Sequence, residues 1–356
     1  MKVLLLGEFS SYHKFLSDGL EQLGHEVTII SEGDGWKQIG GAAFTLPRLS
    51  SKTPFDYYRV TKRYLELLKQ YKGYDVVQFV SVEFYPPILT PLLVNYIKKH
   101  NDIISLAAVG SDYRLVQAYN NGLFEYYTLD YNKPFLNKYS AESLKGKMNI
   151  KRALAMENVA DVIIPGGWEY WVGYSGNKLR SAVPFPVNVD EISYEENNVK
   201  DKIVFFHGLN REGQKGTPFI REAFDELKKN YPDDVEIVMD GHMPYSEYIK
   251  IMRRANVVVD QCLGYGYGIN AIIAMAQGKI VLAGCRKEHM DSLGISEYPM
   301  VSIRPEPHNI YEKLEMIVKK KDDITEWGHK SREFVEKYHD CKIISKKYLD
   351  IWRSEK

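Results

Sequence analysis

Two glycine-rich stretches hold the residues best suited by type and spacing to bind an anion. In FFHGLNREGQKGTPF (205–219), Arg211 and Lys215 lie in a loop just ahead of a helix start marked by Thr217 and Pro218. Arginine offers a planar fork of donors and lysine a compact point charge, while a helix start adds unpaired backbone amides, so the set suits a phosphate group. His207 and Asn210 belong to the same stretch. A solvated loop with incidental surface charge has the same composition. In DQCLGYGYGINAIIAMAQGKIVLAG (260–284), Gly264, Gly266 and Gly268 precede the apolar run Ile269 to Ala276. A helix N-terminus there would present free amides from Ile269 onward, with Asp260, Gln261, Tyr265 and Asn270 as the nearby polar side chains. The dinucleotide fingerprint GxGxxG is absent after the first strand of either half, so nothing recommends NAD.

These loops need strands and helices to position them. Short Val- and Ile-rich runs alternate with longer amphipathic segments, the pattern of β-α units around parallel sheets. Strands are expected at Val3 to Leu6, Val27 to Ile30, Val76 to Val80, Ile103 to Ala108 and Val162 to Ile164. A second series is expected at Ile203 to His207, Val235 to Asp240, Val257 to Asp260, Ile280 to Ala283 and Val301 to Ile303. Between the series, VPFPVNVD (183–190) denies helix through its prolines, and the polar EISYEENNVKDK (191–202) reads as a linker. The first helix is expected to start at Ser10 or Ser11 as cap and to stop at Gly24. Two domains follow, residues 1–190 and 203–330, with a terminal helical segment 331–356 that returns toward the first.

Open parallel sheets bind ligands at the carboxyl ends of their strands. By that rule Gly7 and Glu8 after the first strand, and Gly241 and His242 after Val235 to Asp240, join the candidates. Plain turn chemistry accounts equally for a glycine between strand and helix. Asp112, after Ile103 to Ala108, is placed either to contact a substrate or to cap the next helix.

The composition excludes several classes. Lys plus Arg equals Asp plus Glu at 47 each, and the 44% hydrophobic content supports a sizeable core. A nucleic-acid partner held by a global basic field is therefore not expected. Cys262, Cys285 and Cys341 form no CxxC pair, so neither a disulfide framework nor a structural zinc site is expected, and a reducing, cytoplasmic setting fits. Val76 to Ile97 is broken by Gln78, Glu83, Pro86 and Pro87 and cannot supply a membrane span. The cleft loops offer no His/Asp/Glu cluster with ligand spacing, so no catalytic metal and no cofactor is expected. Arg59, Lys62, Arg63, Lys69 and Lys72 among Tyr57, Tyr58, Tyr64 and Leu67 read as a wet helix face, or as a peripheral contact with the inner face of a membrane.

Several segments, in order, resemble one family: LGHEVTII near the start, ADVIIPGGWEY before VPFPVNVD, QKGTPFIREAF, and AMAQGKIVLAG. The chain resembles the glycosyltransferases of the GT-B fold, family 4 or group 1, and HGLNREGQKGT followed by VVVDQCLGYGYGINA is most similar to a bacterial branch associated with surface polysaccharides. The resemblance implies two facing doubly wound, Rossmann-like domains with parallel sheets. It implies a nucleotide-sugar donor held mainly by the second domain, and a glycan or lipid-linked glycan acceptor held mainly by the first. It also implies transfer with retention of anomeric configuration. The family's basic pair falls on Lys215 and Arg211. Its two glutamates, which contact donor sugar and ribose, fall on Tyr265 and Ile273, neither of them acidic. A sugar-nucleotide epimerase on the same fold, and a catalytically silent sugar-nucleotide-binding subunit, are the alternatives.

Overall fold

The structure is a computed structural model. It describes all residues except 35–38, 48–50, 52, 81–88, 210–211, 242–244 and 356, and describes only the backbone at 212 and 245–249. Arg211, Asn210 and His242 therefore lie outside the described residues.

Strands form where the Val- and Ile-rich runs were read, and all of them pair in parallel. The first sheet comprises β1 (Lys2–Leu6), β2 (Glu26–Ser31), β3 (Phe44–Thr45), β4 (Val76–Phe79), β5 (Ile103–Ala108) and β6 (Val162–Pro165), in the order β3-β2-β1-β4-β5-β6. The second comprises β7 (Ile203–Gly208), β8 (Val235–Asp240), β9 (Val257–Val259), β10 (Ile280–Ala283) and β11 (Val301–Ser302), in the order β11-β10-β9-β7-β8. Every residue of β5 and of β10 is buried, as strands covered by helices on both faces must be. Both orders are doubly wound, with the chain reversing direction across the sheet beside β1 in the first and beside β7 in the second.

The chain sorts into two units, each with its own core. The first holds Met1–Leu123, Pro134–Pro186 and Cys341–Lys356, and the second holds Phe124–Lys133 and Val187–Asp340. Leu4, Leu6, Val77, Phe79 and Ile104 centre one core, while Phe205, Phe224, Val257, Leu282 and Leu314 centre the other. The final helix, Cys341–Arg353, packs on Tyr12–Gln22 within the first unit. Gly19 makes this approach possible, since a Cβ there would lie 2.2 Å from the Cys341 carbonyl oxygen. The hydroxyls of Tyr12 and Tyr348 hydrogen-bond inside the same contact.

The polar segment read as a linker is tied down along much of its length. Asn197 donates to the Asn256 carbonyl at 3.0 Å and accepts from the Asn256 side chain at 2.9 Å, and the Arg332 guanidinium donates to the Ile192 carbonyl at 2.7 Å. Phe124–Lys133 is the other departure: it lies within the first half of the sequence yet packs in the second unit. No described helix is long and apolar enough to cross a membrane. Among the described residues no group of three or more His, Cys, Asp and Glu side chains is placed to hold a metal ion.

Candidate functional site

In the second sheet the crevice at the direction reversal opens between the carboxyl ends of β7 and β9. Lys215 and Asp260 meet there, Nζ to Oδ1 at 3.1 Å, with side chains only 15% and 5% exposed. Burial this deep separates Lys215 from an incidental surface charge. Lys215, expected in a loop, ends the short helix Glu212–Lys215, and this helix and the turn after β9 are fastened by their backbones, since the Cys262 amide donates to the Lys215 carbonyl at 3.0 Å. Gly216 completes the turn at φ +79°, and a Cβ on it would lie 2.3 Å from the Cys262 sulfur, so both conformation and space demand glycine.

His207 lies one residue before the end of β7, close enough to feel the charges of this pair. Its Nδ1 donates to the Val259 carbonyl at 2.7 Å, and its Nε2 hydrogen-bonds the Thr217 hydroxyl at 2.8 Å. Burial, reinforced by the nearby Lys215 charge, lowers its pKa to about 4. Both nitrogens are committed, so His207 braces β9 and the following helix rather than meeting a ligand through its ring.

The glycine-rich loop is shaped by close approach. A Cβ on Gly266 would sit 2.2 Å from the His289 ring, and one on Gly284 would sit 1.8 Å from the Gly264 carbonyl oxygen. Gln261 points into the loop and donates to the Gly266 carbonyl at 3.2 Å. The helix Ile269–Ala276 begins at Gly268, where no side chain caps it, and a Cβ on Gly268 would stand 3.9 Å from Asp260 Oδ2. Uncapped amides thus start beside the Lys215–Asp260 pair, so the ammonium and the amides are donors for a phosphate while the Asp260 carboxylate offsets the lysine charge. Asn270 is exposed on the helix's first turn, and Gly241 follows β8 against the Leu209 backbone.

Tyr265 is buried within the second unit. Its hydroxyl accepts the Glu125 amide at 2.7 Å, its carbonyl accepts the Arg286 amide at 2.9 Å, and the Arg286 guanidinium lies 4.8 Å from its ring centroid. Ile273, four residues beyond the start of the helix, is partly buried on it. Reading by sequence passed over Arg286, Arg304 and Glu125, although both arginines directly follow strands and the strand-end rule would have reached them.

The first unit answers differently at its own reversal. Gly7 takes φ +95°, but the amides that open Tyr12–Gln22 are filled by the chain itself: Glu8 accepts from His13 at 3.2 Å and Lys14 at 3.0 Å, and also from Phe9 at 2.7 Å. Burial raises the Glu8 carboxyl to about 6 in spite of these bonds. Ser10 or Ser11 was the expected cap, and Ser11 does hold the N-cap position, but in a left-handed conformation and without a side-chain cap bond. The helix start expected to face a ligand is therefore occupied by a carboxylate of its own loop. Behind it His13 bridges the Gly7 carbonyl at 2.8 Å and Gln78 at 3.3 Å, and Ser105 donates to Gln78 at 3.0 Å, a buried relay across β1, β4 and β5.

Asp112 caps Tyr113–Asn120, accepting the Leu115 amide at 2.9 Å and the Tyr174 hydroxyl at 2.6 Å. It lines a cavity of about 130 Å³ with Asn149, Arg152 and Glu157. Desolvation raises its carboxyl, with the Tyr174 bond acting the other way. The capping reading of Asp112 is the one the structure shows, and the residue also lines that cavity.

No protein-family model matches the chain, and no curated protein matches its sequence. Solved structures do match over nearly its whole length. HepE of Anabaena, solved in complex with UDP, aligns over 99% of this chain and 100% of its own at 11% identity and a TM-score of 0.59. Sucrose-phosphate synthase of Thermosynechococcus elongatus aligns over 99% of each chain at 15% identity and a TM-score of 0.60. A Listeria monocytogenes protein described as a UDP-N-acetylglucosamine 2-epimerase covers 98% of this chain and 94% of its own at 11% identity and a TM-score of 0.56. At such identities the likeness is one of fold, and with two parallel, doubly wound sheets the chain has the α/β GT-B fold.

Proposed function

We propose that the chain is a glycosyltransferase whose second unit binds a nucleoside-diphosphate sugar and whose first unit takes the acceptor. The observation that carries this reading is the Lys215–Asp260 pair, a buried cation beside the uncapped helix start at Gly268, at the point where doubly wound sheets take their ligands. Structural neighbours solved with UDP and with UDP-glucose support the donor class.

In the reaction the bond from the anomeric carbon to the diphosphate oxygen breaks and its electron pair leaves with the phosphate. The acceptor oxygen bonds to that carbon, and its proton ends on the released diphosphate. Charge therefore grows on the leaving group, and Lys215 with the amides of Ile269 and Asn270 is placed to stabilise it, which is transition-state binding rather than proton transfer. His207, held neutral with both nitrogens bonded, is no candidate acid or base. We read the transfer as retaining, as independent of a metal ion, and as serving surface polysaccharide assembly on the cytoplasmic side of the membrane. An inactive sugar-nucleotide-binding subunit is the second reading, favoured by Tyr265 and Ile273 at positions where the family resemblance places carboxylates.

Thermal denaturation with UDP, GDP, ADP and CMP and their sugars tests the donor, because a ligand at 100 times its Kd adds about 2.7 kcal/mol. Sugar release or transfer from the stabilising donor then separates enzyme from binder. A panel that stabilises nothing refutes the donor assignment.

A further inference from the structure

We propose that Arg286 and Arg304 form a subsite for a carboxylate on the transferred sugar, so that the donor is a nucleoside-diphosphate uronic acid and Glu125 holds the place of its carboxylate. This rests on the nucleotide-sugar reading above and specifies its substrate class.

Both arginines follow strands of the second sheet on the same edge as Lys215 and Asp260. Arg286 comes three residues after β10 and Arg304 two after β11. β10 pairs with β9 and the Asp260 amide bonds the Leu282 carbonyl, so Arg286 follows one strand over from Asp260 and no more than roughly 10 Å of chain past the end of β10. That step is within the reach of a single sugar ring whose diphosphate sits at Lys215.

One carboxylate bridges the two guanidinium groups. Glu125 Oε2 lies 2.8 Å from Arg286 and Oε1 lies 3.7 Å from Arg304. The partners are unequal. Arg286 is 14% exposed and fixed: its amide is held by the Tyr265 carbonyl, and its fork lies against the Tyr265 and Tyr126 rings at 4.8 and 5.5 Å. Glu125 is 56% exposed, and its own amide is held by the Tyr265 hydroxyl. The cation is thus built into the fold while the anion is more than half exposed, which makes the anion the exchangeable member. Glu288, 3.5 Å from the other terminal nitrogen of Arg286 and 45% exposed, shares the charge. A ligand carboxylate replacing that of Glu125 meets the preorganised, largely buried Arg286 guanidinium, with the 46% exposed Arg304 alongside.

The reading of neighbouring Tyr265 follows. A glutamate at that position would set a negative charge against an anionic sugar, whereas tyrosine leaves the site neutral and supplies a face for Arg286.

Isothermal titration with matched donors tests the subsite: UDP-glucose against UDP-glucuronate, and GDP-mannose against GDP-mannuronate. In one of the two pairs the uronate is expected to bind about tenfold or more tighter, the size of one charge-assisted bidentate contact. Arg286→Gln, checked for folding by thermal denaturation, is expected to remove most of that preference. Glu125→Gln, also checked for folding, is expected to raise uronate affinity severalfold relative to that for the neutral sugar. Equal or tighter binding of the neutral sugar by the wild-type protein overturns the subsite while leaving the nucleotide site standing. Methyl glucuronide alone bound as tightly as the uronate donor places the carboxylate on the acceptor and overturns it too. Failure of every nucleotide to bind removes the donor reading and the subsite with it.

Discussion

Replacing Lys215 by methionine tests two roles at once, because the side chain is both one half of a buried ion pair and the proposed phosphate contact. The structure fixes the first magnitude. With Asp260 only 5% exposed, loss of Lys215 leaves an unpaired buried carboxylate, which costs roughly 3 to 5 kcal/mol; the 15% exposure of Lys215 puts the expected loss near 3 kcal/mol. The double variant Lys215→Met/Asp260→Asn removes both charges, and stability is expected to return to within about 1 kcal/mol of the wild type. Catalysis should not return. Losing one preorganised donor to the leaving group lowers kcat/KM by on the order of 10² to 10³. Denaturant unfolding followed by tryptophan fluorescence reads the stability, and sugar transfer reads the rate, with Asp260→Asn alone as the reference for the double variant. If turnover in the double variant recovers along with stability, Lys215 is scaffold and the phosphate assignment is wrong.

Three further outcomes follow from the geometry. Gly216→Ala adds left-handed strain of about 1 to 2 kcal/mol and forces a methyl against the Cys262 sulfur, so a loss of roughly 2 to 5 kcal/mol is expected in the unfolding of the second unit, and a neutral result contradicts the turn. His207 has a folded pKa of about 4 against its ordinary 6.5, so the unfolded chain binds the extra proton: stability is full above pH 6.5 and falls by about 3 kcal/mol as pH drops toward 4. Glu8, raised from 4.5 to about 6, acts oppositely, losing about 2 kcal/mol as pH rises through that window, and pH-dependent unfolding of His207→Gln and Glu8→Gln should lose the respective slopes. Transfer is expected to proceed unchanged in EDTA, since Lys215 and helix amides carry the charge; activity abolished by the chelator and restored by Mg²⁺ or Mn²⁺ would contradict this.

Local patterns reported local structure well. The β-branched runs placed β5, β8 and β10 at their observed bounds and most other strands within a residue or two; for β5 and β10 this is because a strand buried on both faces is strongly apolar, whereas β8 is a partly exposed edge strand. The two-residue β3 carries no period to read. At the first helix, serine's capping preference pointed to Ser10 and Ser11, yet Gly7 turns the chain so that Glu8 reaches the helix amides first. Phe124–Lys133 was illegible for another reason. Tyr265 and Arg286, which hold Glu125, lie 140 and 161 residues further along the chain, beyond any local signal. The same holds for Asn197 and Asn256, whose mutual bonds turn a polar, linker-like stretch into a docked one. The burial of Lys215 was likewise hidden, since a loop rich in glycine and charge reads as wet until Asp260 is folded beneath it.

The central claim is that a diphosphate sits between Lys215 and the start of the helix Ile269–Ala276. A crystal structure with whichever nucleotide stabilises the protein tests it most directly. The account predicts phosphate oxygens within hydrogen-bond distance of Lys215 Nζ and of the Ile269 or Asn270 amides, at about 2.7 to 3.2 Å. A nucleotide bound elsewhere, with Lys215 still paired to Asp260 alone, would contradict it.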